Sequence, residues 1–173
     1  MDIVVKDTNI IIDLIKTGLL HFCALLDIEW HTTLHVIYEI EDEEQRKTIL
    51  SCIEDGILKV DVFEGEDLDL LLDTSQDYGK KTNLSETDCS VMLLAERYGC
   101  RLLTSDQKLR RQAEGRGVKV NGLLWVVDTI VENGILSGKA MIPYLEQYLQ
   151  TNMRALENEI NKRVERYRTL KQL

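Results

Sequence analysis

The sequence predicts an α/β protein: a three-layer α/β/α sandwich on a central parallel sheet of about four to five strands, followed by a helical C-terminal extension. Three observations carry this. Short apolar runs of the kind buried on both faces of a parallel sheet recur between Ile3 and Val120. Helical patterns lie between and after them. The chain has 173 residues, 44% apolar, with one Pro and ten Gly. That suffices for a real core and leaves no low-complexity or Pro-rich linker.

The first strand is Ile3–Val5, and Ile10, Ile11, Leu14 and Ile15 then form a stripe at helical spacing. A second strand runs from about Glu29 to Thr32 and leads into a helix carrying "HVIYEI". Leu58–Phe63 is a weaker extended segment, followed by an acidic helix with Leu68, Leu71 and Leu72 on one stripe. "NLSETD" announces the helix Glu86–Tyr98, which carries Val91, Leu94 and Ala95 and stops at Gly99. The strand Leu102–Thr104 leads past Asp106 into a helix marked by Leu109, Ala113 and Gly117, and the strand Val118–Val120 follows.

From about Leu123 the pattern is wholly helical: Leu123–Asn133, Gly138–Leu149, and a charged helix from Asn152 to about Leu170. Gly134 and Pro143 punctuate it, with Pro143 expected near a helix start. In the last helix Met153, Leu156, Ile160, Val164 and Tyr167 make a narrow apolar seam, suited to docking on the body or on a partner. The expected organisation is a core domain over residues 1–121, helices packing on it over 122–150, and a charged helix over 151–173.

The net charge of −9 is unevenly spread: residues 1–100 hold 8 basic and 22 acidic side chains, residues 101–173 hold 13 and 8. Such acidity disfavours nonspecific duplex binding driven by counterion release. It suits the holding of divalent cations beside a basic flank that receives phosphate. Cys23, Cys52, Cys89 and Cys100 show no CxxC pair and read as small core residues. No apolar stretch approaches a bilayer span and no signal pattern opens the chain, so a soluble, cytoplasmic protein is expected. His31 and His35 stand four apart without the Glu of a zinc helix and across a strand-to-helix turn. No glycine-rich phosphate loop occurs, and Trp30, Trp125 and the six Tyr read as core packing.

Four carboxylates map onto the edge where open parallel sheets place their ligand sites. Asp7 follows the first strand directly, and Asp106 follows Leu102–Thr104 after only Ser105. Asp88 lies in the first turn of its helix, and Glu39 about two turns into the helix that follows the second strand. Each has a structural alternative. Asp7 can cap the helix beginning at Thr8, and Ser85 with Asp88 makes a near capping box. Asp106 suits a helix dipole from one residue inside the helix, and Glu39 can belong to a solvated face with Glu41 and Glu44. Together, however, they would repel one another, and a hard divalent cation relieves that repulsion.

"VKDTNIII", "HVIYEI", "NLSETDCSVMLLAE" and "LLTSDQKLRRQAEGRGVKV" resemble, in order and spacing, the motif blocks of PIN-domain nucleases, especially the toxin nucleases of toxin–antitoxin pairs. The resemblance covers residues 1 to about 121. It implies that Asp7, Glu39, Asp88 and Asp106 are the catalytic, metal-binding quartet. It also implies that Asn9 and Thr104 or Ser105 support them. Glu86, in the same first turn, can trade roles with Asp88, and Glu41 is a weaker rival to Glu39. The implied chemistry is cleavage of an RNA phosphodiester by water activated on one or two Mg²⁺ or Mn²⁺ ions. Lys108, Arg110 and Arg111, with Arg101, Arg116 and Lys119 nearby in sequence, would guide the phosphate backbone. The implied partners are the RNA substrate, a small antitoxin protein and a second copy in a dimer. A different reading is a degenerate PIN-like module that binds a protein or nucleic acid without cleaving it. A receiver-like phosphoacceptor would need an Asp after the middle strand and a late Lys at a strand end, which "EWHTTLH" and "VKVNG" do not supply.

Overall fold

The computed structural model describes residues 2–152 and 156–169. In chain order the elements are β1 (Asp2–Lys6), α1 (Thr8–Lys16), α2 (Leu20–Cys23), β2 (Ile28–Thr33), α3 (Leu34–Glu39), α4 (Glu43–Glu54), β3 (Leu58–Asp61) and α5 (Glu66–Thr82). There follow α6 (Glu86–Tyr98), β4 (Arg101–Leu103), α7 (Gln107–Gly115), β5 (Lys119–Asn121), α8 (Leu123–Glu132), α9 (Gly138–Thr151) and α10 (Glu157–Thr169).

The five strands form one sheet in the order β3-β2-β1-β4-β5, with every neighbouring pair parallel. β1 is therefore central, and the chain reverses its direction of winding there. Val4 pairs with Trp30 on one side and with Arg101 on the other. Val4, Val5, Leu102 and Leu103 are buried, as strands covered on both faces require. Lys6 is also buried, with its Nζ 4.0 Å from the centre of the Trp30 ring, where the π face receives its charge. The expected Leu102–Thr104 strand is Arg101–Leu103, with the Thr104 N–H still donating to Asn121 O at 2.9 Å, and the last strand is shifted to Lys119–Asn121.

His31 braces the β3 side of the sheet. Its Nδ1 lies 2.6 Å from Asp61 Oδ2 and its Nε2 2.7 Å from Glu29 Oε1, while the Tyr98 hydroxyl donates to Asp61 Oδ1 at 2.6 Å. His35 stands in different surroundings, on α3. Sequence periodicity does not announce α4, because Ile49 alone among its residues is fully buried.

The chain divides into two compact units. The first comprises residues 1–11 and 27–122, and holds the whole sheet. The second gathers residues 12–26 with 123–173, so the later part of α1 and all of α2 belong with the C-terminal helices. In this second unit Ile160, Val164 and Tyr167 of α10 are buried, and α10 packs on α9. Asp128 of α8 accepts from Arg163 Nη2 at 2.7 Å, Arg166 Nη2 at 2.6 Å and the Tyr167 hydroxyl at 2.6 Å. The apolar seam is thus used within the chain. Leu156 precedes the helix and is 61% exposed, and Met153 lies outside the described residues. Pro143, expected near a helix start, is in the second turn of α9, after Ser137 has capped the helix through the Ala140 N–H. Its ring removes the hydrogen bond that Lys139 O would otherwise accept.

All four cysteines are free; Cys23 and Cys89 are buried and Cys52 and Cys100 half-buried. No helix among the described residues is long and apolar enough to cross a membrane.

Candidate active site

Asp7 leaves the C-terminal end of the central strand at the point where the sheet changes winding direction, which is where open α/β sheets open a crevice. Its N–H still donates to Leu103 O at 3.0 Å, so the residue is fixed to β4 as firmly as a strand residue. The carboxylate is 2% exposed. Oδ1 accepts the Thr8 N–H at 2.7 Å, and Oδ2 accepts the Thr104 hydroxyl at 2.8 Å and the Asn9 amide at 3.3 Å. Asp7 Oδ1 thus takes the N–H of the first residue of α1 rather than that of the second or third, which a cap takes, and both expected supporting residues, Asn9 and Thr104, reach it. Ser105, the alternative to Thr104, is half-buried between Thr104 and Asp106.

Thr104 does two things with one oxygen: it donates to Asp7 and accepts the Asp106 N–H at 3.0 Å. Asp106 is the N-cap of α7 rather than a residue inside it, and its Oδ1 accepts from Lys108 N–H at 2.7 Å and Leu109 N–H at 2.9 Å. Asp88 completes a true capping box on α6: its N–H donates to Ser85 Oγ at 3.0 Å and its Oδ2 accepts the Ser85 N–H at 2.9 Å. Glu39 is the last residue of the six-residue α3 and is exposed, yet its Oε2 accepts the Thr8 hydroxyl at 2.7 Å. That link ties α3 to the Asp7 turn.

These carboxylates sense one another. Burial pushes the Asp7 carboxyl up to about 7, with the charges of Asp88 and Glu39 adding to the rise and the Thr104 and Thr8 hydrogen bonds opposing it. Asp88 is also raised, first by burial and then by the charges of Asp106 and Glu39, against the bonds from Ser85. The structure thus brings Asp7, Glu39, Asp88 and Asp106 into one electrostatic cluster. As the side chains stand, no three His, Cys, Asp or Glu among the described residues close around a common point as metal ligands would. Two of the four are occupied in part by capping: Asp88 through Oδ2 and Asp106 through Oδ1.

The remaining expected residues divide. Glu86 turns to His35, with Oε1 3.1 Å from Nε2, while the other ring nitrogen of His35 is buried without a hydrogen-bond partner. Lys108 and Arg111 are exposed on α7. Arg110 is drawn inward: its Nη1 donates to Val120 O at 3.0 Å and its Nη2 to Thr104 O at 3.3 Å, so it braces β5 against the end of β4. Two features escape the sequence. The hydroxyl of Thr8 engages Glu39, and His35 engages Glu86, and both contacts depend on how α3 lies in three dimensions.

A five-stranded parallel sheet, with a buried Asp at the end of its central strand and three further carboxylates that sense one another, defines an open parallel α/β protein with an acidic cluster at its switch point. A PIN-domain family profile matches residues 3–169, and the chain belongs to that family. The match extends well past residue 121, through the C-terminal helices. The chain is 32% identical over 102 residues to the endoribonuclease Nob1 of Pyrococcus abyssi (strain GE5 / Orsay), covering 59% of this chain. It spans 63% of the length of that relative. Among solved structures it is similar to PAE2754 from Pyrobaculum aerophilum, with a TM-score of 0.50 and 16% identity over 72% of this chain and 86% of that one. FitAcB from Neisseria gonorrhoeae aligns at a TM-score of 0.45 and 13% identity, over 68% of this chain and 95% of that one.

Proposed function

We propose that the chain is a divalent-metal-dependent endoribonuclease with Asp7, Glu39, Asp88 and Asp106 as its metal-holding and catalytic carboxylates. The observation that carries this reading is Asp7: a carboxyl held in the core beside two like charges and pushed up to about 7. A cap alone does not require this, because Asn also caps helices and bears no charge to desolvate. The donor set is all carboxylate oxygen, which suits Mg²⁺ or Mn²⁺; burial chiefly raises Asp7 and Asp88, and the smaller repulsion from their neighbours is what a bound cation would relieve.

When bound, the cation would supply Lewis-acid polarisation of the phosphodiester and a water of lowered pKa. The protein's part is positioning. Thr104 and the Thr8 amide hold both oxygens of Asp7 in one orientation, and Asn9 adds a third bond. The Thr8 hydroxyl holds Glu39, and the α6 cap holds Asp88 at the same edge. Lys108 and Arg111, exposed on the helix that Asp106 caps, receive the flanking phosphates, and Arg110 serves as a brace. RNA is favoured as substrate by the likeness to an endoribonuclease.

The test is cleavage of RNA with Mg²⁺ or Mn²⁺ by the wild type and by Asp7→Asn. We expect a loss of at least a hundredfold in the variant, and equal rates in the two proteins would overturn the assignment. A second reading, a PIN-like module that binds without cleaving, is favoured by the capping of Asp88 and Asp106. Calorimetric titration with Mn²⁺ separates the two, because the non-cleaving module lacks Asp7-dependent metal binding. The likeness of the motifs to toxin nucleases extends the proposal to a cytoplasmic toxin that dimerises and is covered by a small antitoxin. Co-purification with the product of a neighbouring reading frame tests that extension.

A further inference from the structure

Resting on the nuclease reading above, we propose that Arg110 is a positioning residue for the metal site. It fixes the Thr104 peptide that orients Asp7 and Asp106, and so sets metal affinity and the chemical step rather than contact with RNA. Its place in the sequence groups it with the cations that guide phosphate; its contacts do not. Arg110 ends the first turn of α7, with its backbone N–H on Asp106 O at 3.0 Å. The guanidinium reaches back to the sheet, where Nη2 donates to Thr104 O at 3.3 Å and Nη1 to Val120 O at 3.0 Å. Glu114 Oε1 lies 3.5 Å from Nη1, so a carboxylate also answers its charge.

Thr104 is the residue through which Arg110 acts. It is fully buried, and its N–H, hydroxyl and carbonyl are all engaged. The N–H donates to Asn121 O at 2.9 Å and the carbonyl accepts from Arg110. The hydroxyl donates to Asp7 at 2.8 Å and accepts the Asp106 N–H at 3.0 Å. A peptide unit is planar, so a guanidinium on the Thr104 carbonyl fixes the plane from which Ser105 and Asp106 continue. Asp7 and Asp106 are thereby held in one relation, joined through the Thr104 hydroxyl and set by the Thr104 peptide. Removing a group that orients metal ligands typically costs roughly 10- to 100-fold in metal affinity or activity. Bonding carbonyls at the ends of two strands calls for a planar fork of N–H donors, whereas a lysine ammonium brings the charge without the fork. Lys108 and Arg111, exposed on the same helix, keep the phosphate role.

The experiment compares wild type, Arg110→Ala, Arg110→Lys and Lys108→Ala in the full chain. Calorimetry with Mn²⁺ gives metal affinity, and RNA cleavage gives kcat and KM. Fluorescence anisotropy in the Asp7→Asn background gives RNA binding without cleavage, and amide hydrogen exchange of the metal-free protein reads the Asp106 N–H. Both Arg110 variants are expected to bind Mn²⁺ about tenfold more weakly and to lose kcat by at least as much, with RNA affinity within about twofold. Their Asp106 N–H is expected to exchange about tenfold faster. Lys108→Ala is expected to do the reverse, losing RNA affinity and keeping Mn²⁺ affinity. Wild-type Mn²⁺ affinity in Arg110→Lys would reduce Arg110 to a charge and overturn the proposal. So would weaker RNA binding with metal binding intact, or an Asp106 N–H that exchanges at the wild-type rate. Should Arg110→Ala not fold, Arg110→Lys, which keeps the stem and the charge, decides. Failure of the wild type to cleave RNA, or to bind Mn²⁺ through Asp7, would sink the nuclease reading instead. The exchange comparison depends on neither and still decides whether Arg110 holds the Thr104 peptide.

Discussion

At the scale of single residues, the buried pair Asp7 and Thr104 is joined by one 2.8 Å hydrogen bond. Because burial and the neighbouring acids raise the Asp7 carboxyl from 3.8 to about 7, the folded state holds its proton more tightly than the unfolded chain does. Stability from this group is therefore full below the unfolded value and falls as pH rises through 7, by on the order of 4 kcal/mol for a shift of about three pH units. Without added metal, the melting temperature of the wild type relative to Asp7→Asn should drop from about pH 4 to pH 7 and level off above it, as measured by calorimetry. A flat difference would remove Asp7 from its role as a strained, desolvated acid. Thr104→Val takes away one donor to Asp7 and the acceptor of the Asp106 N–H. It should cost about 1–3 kcal/mol in urea denaturation and raise the Asp7 carboxyl further, read as a shift of the same pH profile to higher pH. Asp7, Asp88 and Asp106 were legible in the sequence because each sits at a strand end or helix start, where order along the chain already places it. The Thr8–Glu39 and His35–Glu86 contacts were not legible. They join α1 to α3 and α3 to α6, and nothing in local sequence encodes how a six-residue helix leans.

The helices show which signals survive at the next scale. The capping box Ser85-x-x-Asp88 and the Gly99 stop, with φ of 59°, bracket α6 where the pattern places them. Ser85→Ala should lower stability by about 1 kcal/mol through loss of the cap. It should also lower the rate of metal-dependent cleavage, since Asp88 loses a bond that orients it; rates unchanged by the variant would argue that Asp88 only caps. The apolar seam of the C-terminal helix predicts docking, and Ile160, Val164 and Tyr167 are buried within the second unit. What periodicity could not supply is the charged clasp of Arg163, Arg166 and Tyr167 on Asp128. Asp128→Asn keeps the shape and removes the charge, and should cost about 1–2 kcal/mol by chemical denaturation. α4 carries no apolar stripe, and Pro143 lies in the second turn of α9 rather than at its start. An exposed helix buries too little to show a stripe, and a second-turn proline resembles a first-turn one in sequence.

For the whole molecule, linkage gives the clearest test of the metal proposal. A ligand that binds only the folded state, at a hundred times its Kd, stabilises by about 2.7 kcal/mol. For a chain of this size that is a rise of roughly 5–10 °C in melting temperature. Saturating Mn²⁺ should produce it in the wild type and fail to in Asp7→Asn. The order of strands also bears on how the protein behaves in concentrated solution. The two strands that end the sheet, β3 and β5, have four and three residues, while the longer β1 and β2 lie inside it. Each open backbone edge is thus too brief to recruit a foreign strand, and Lys59 and Lys119 sit on those edges as charged deterrents. The same arrangement that centres Asp7 blunts the sheet against edge-to-edge aggregation.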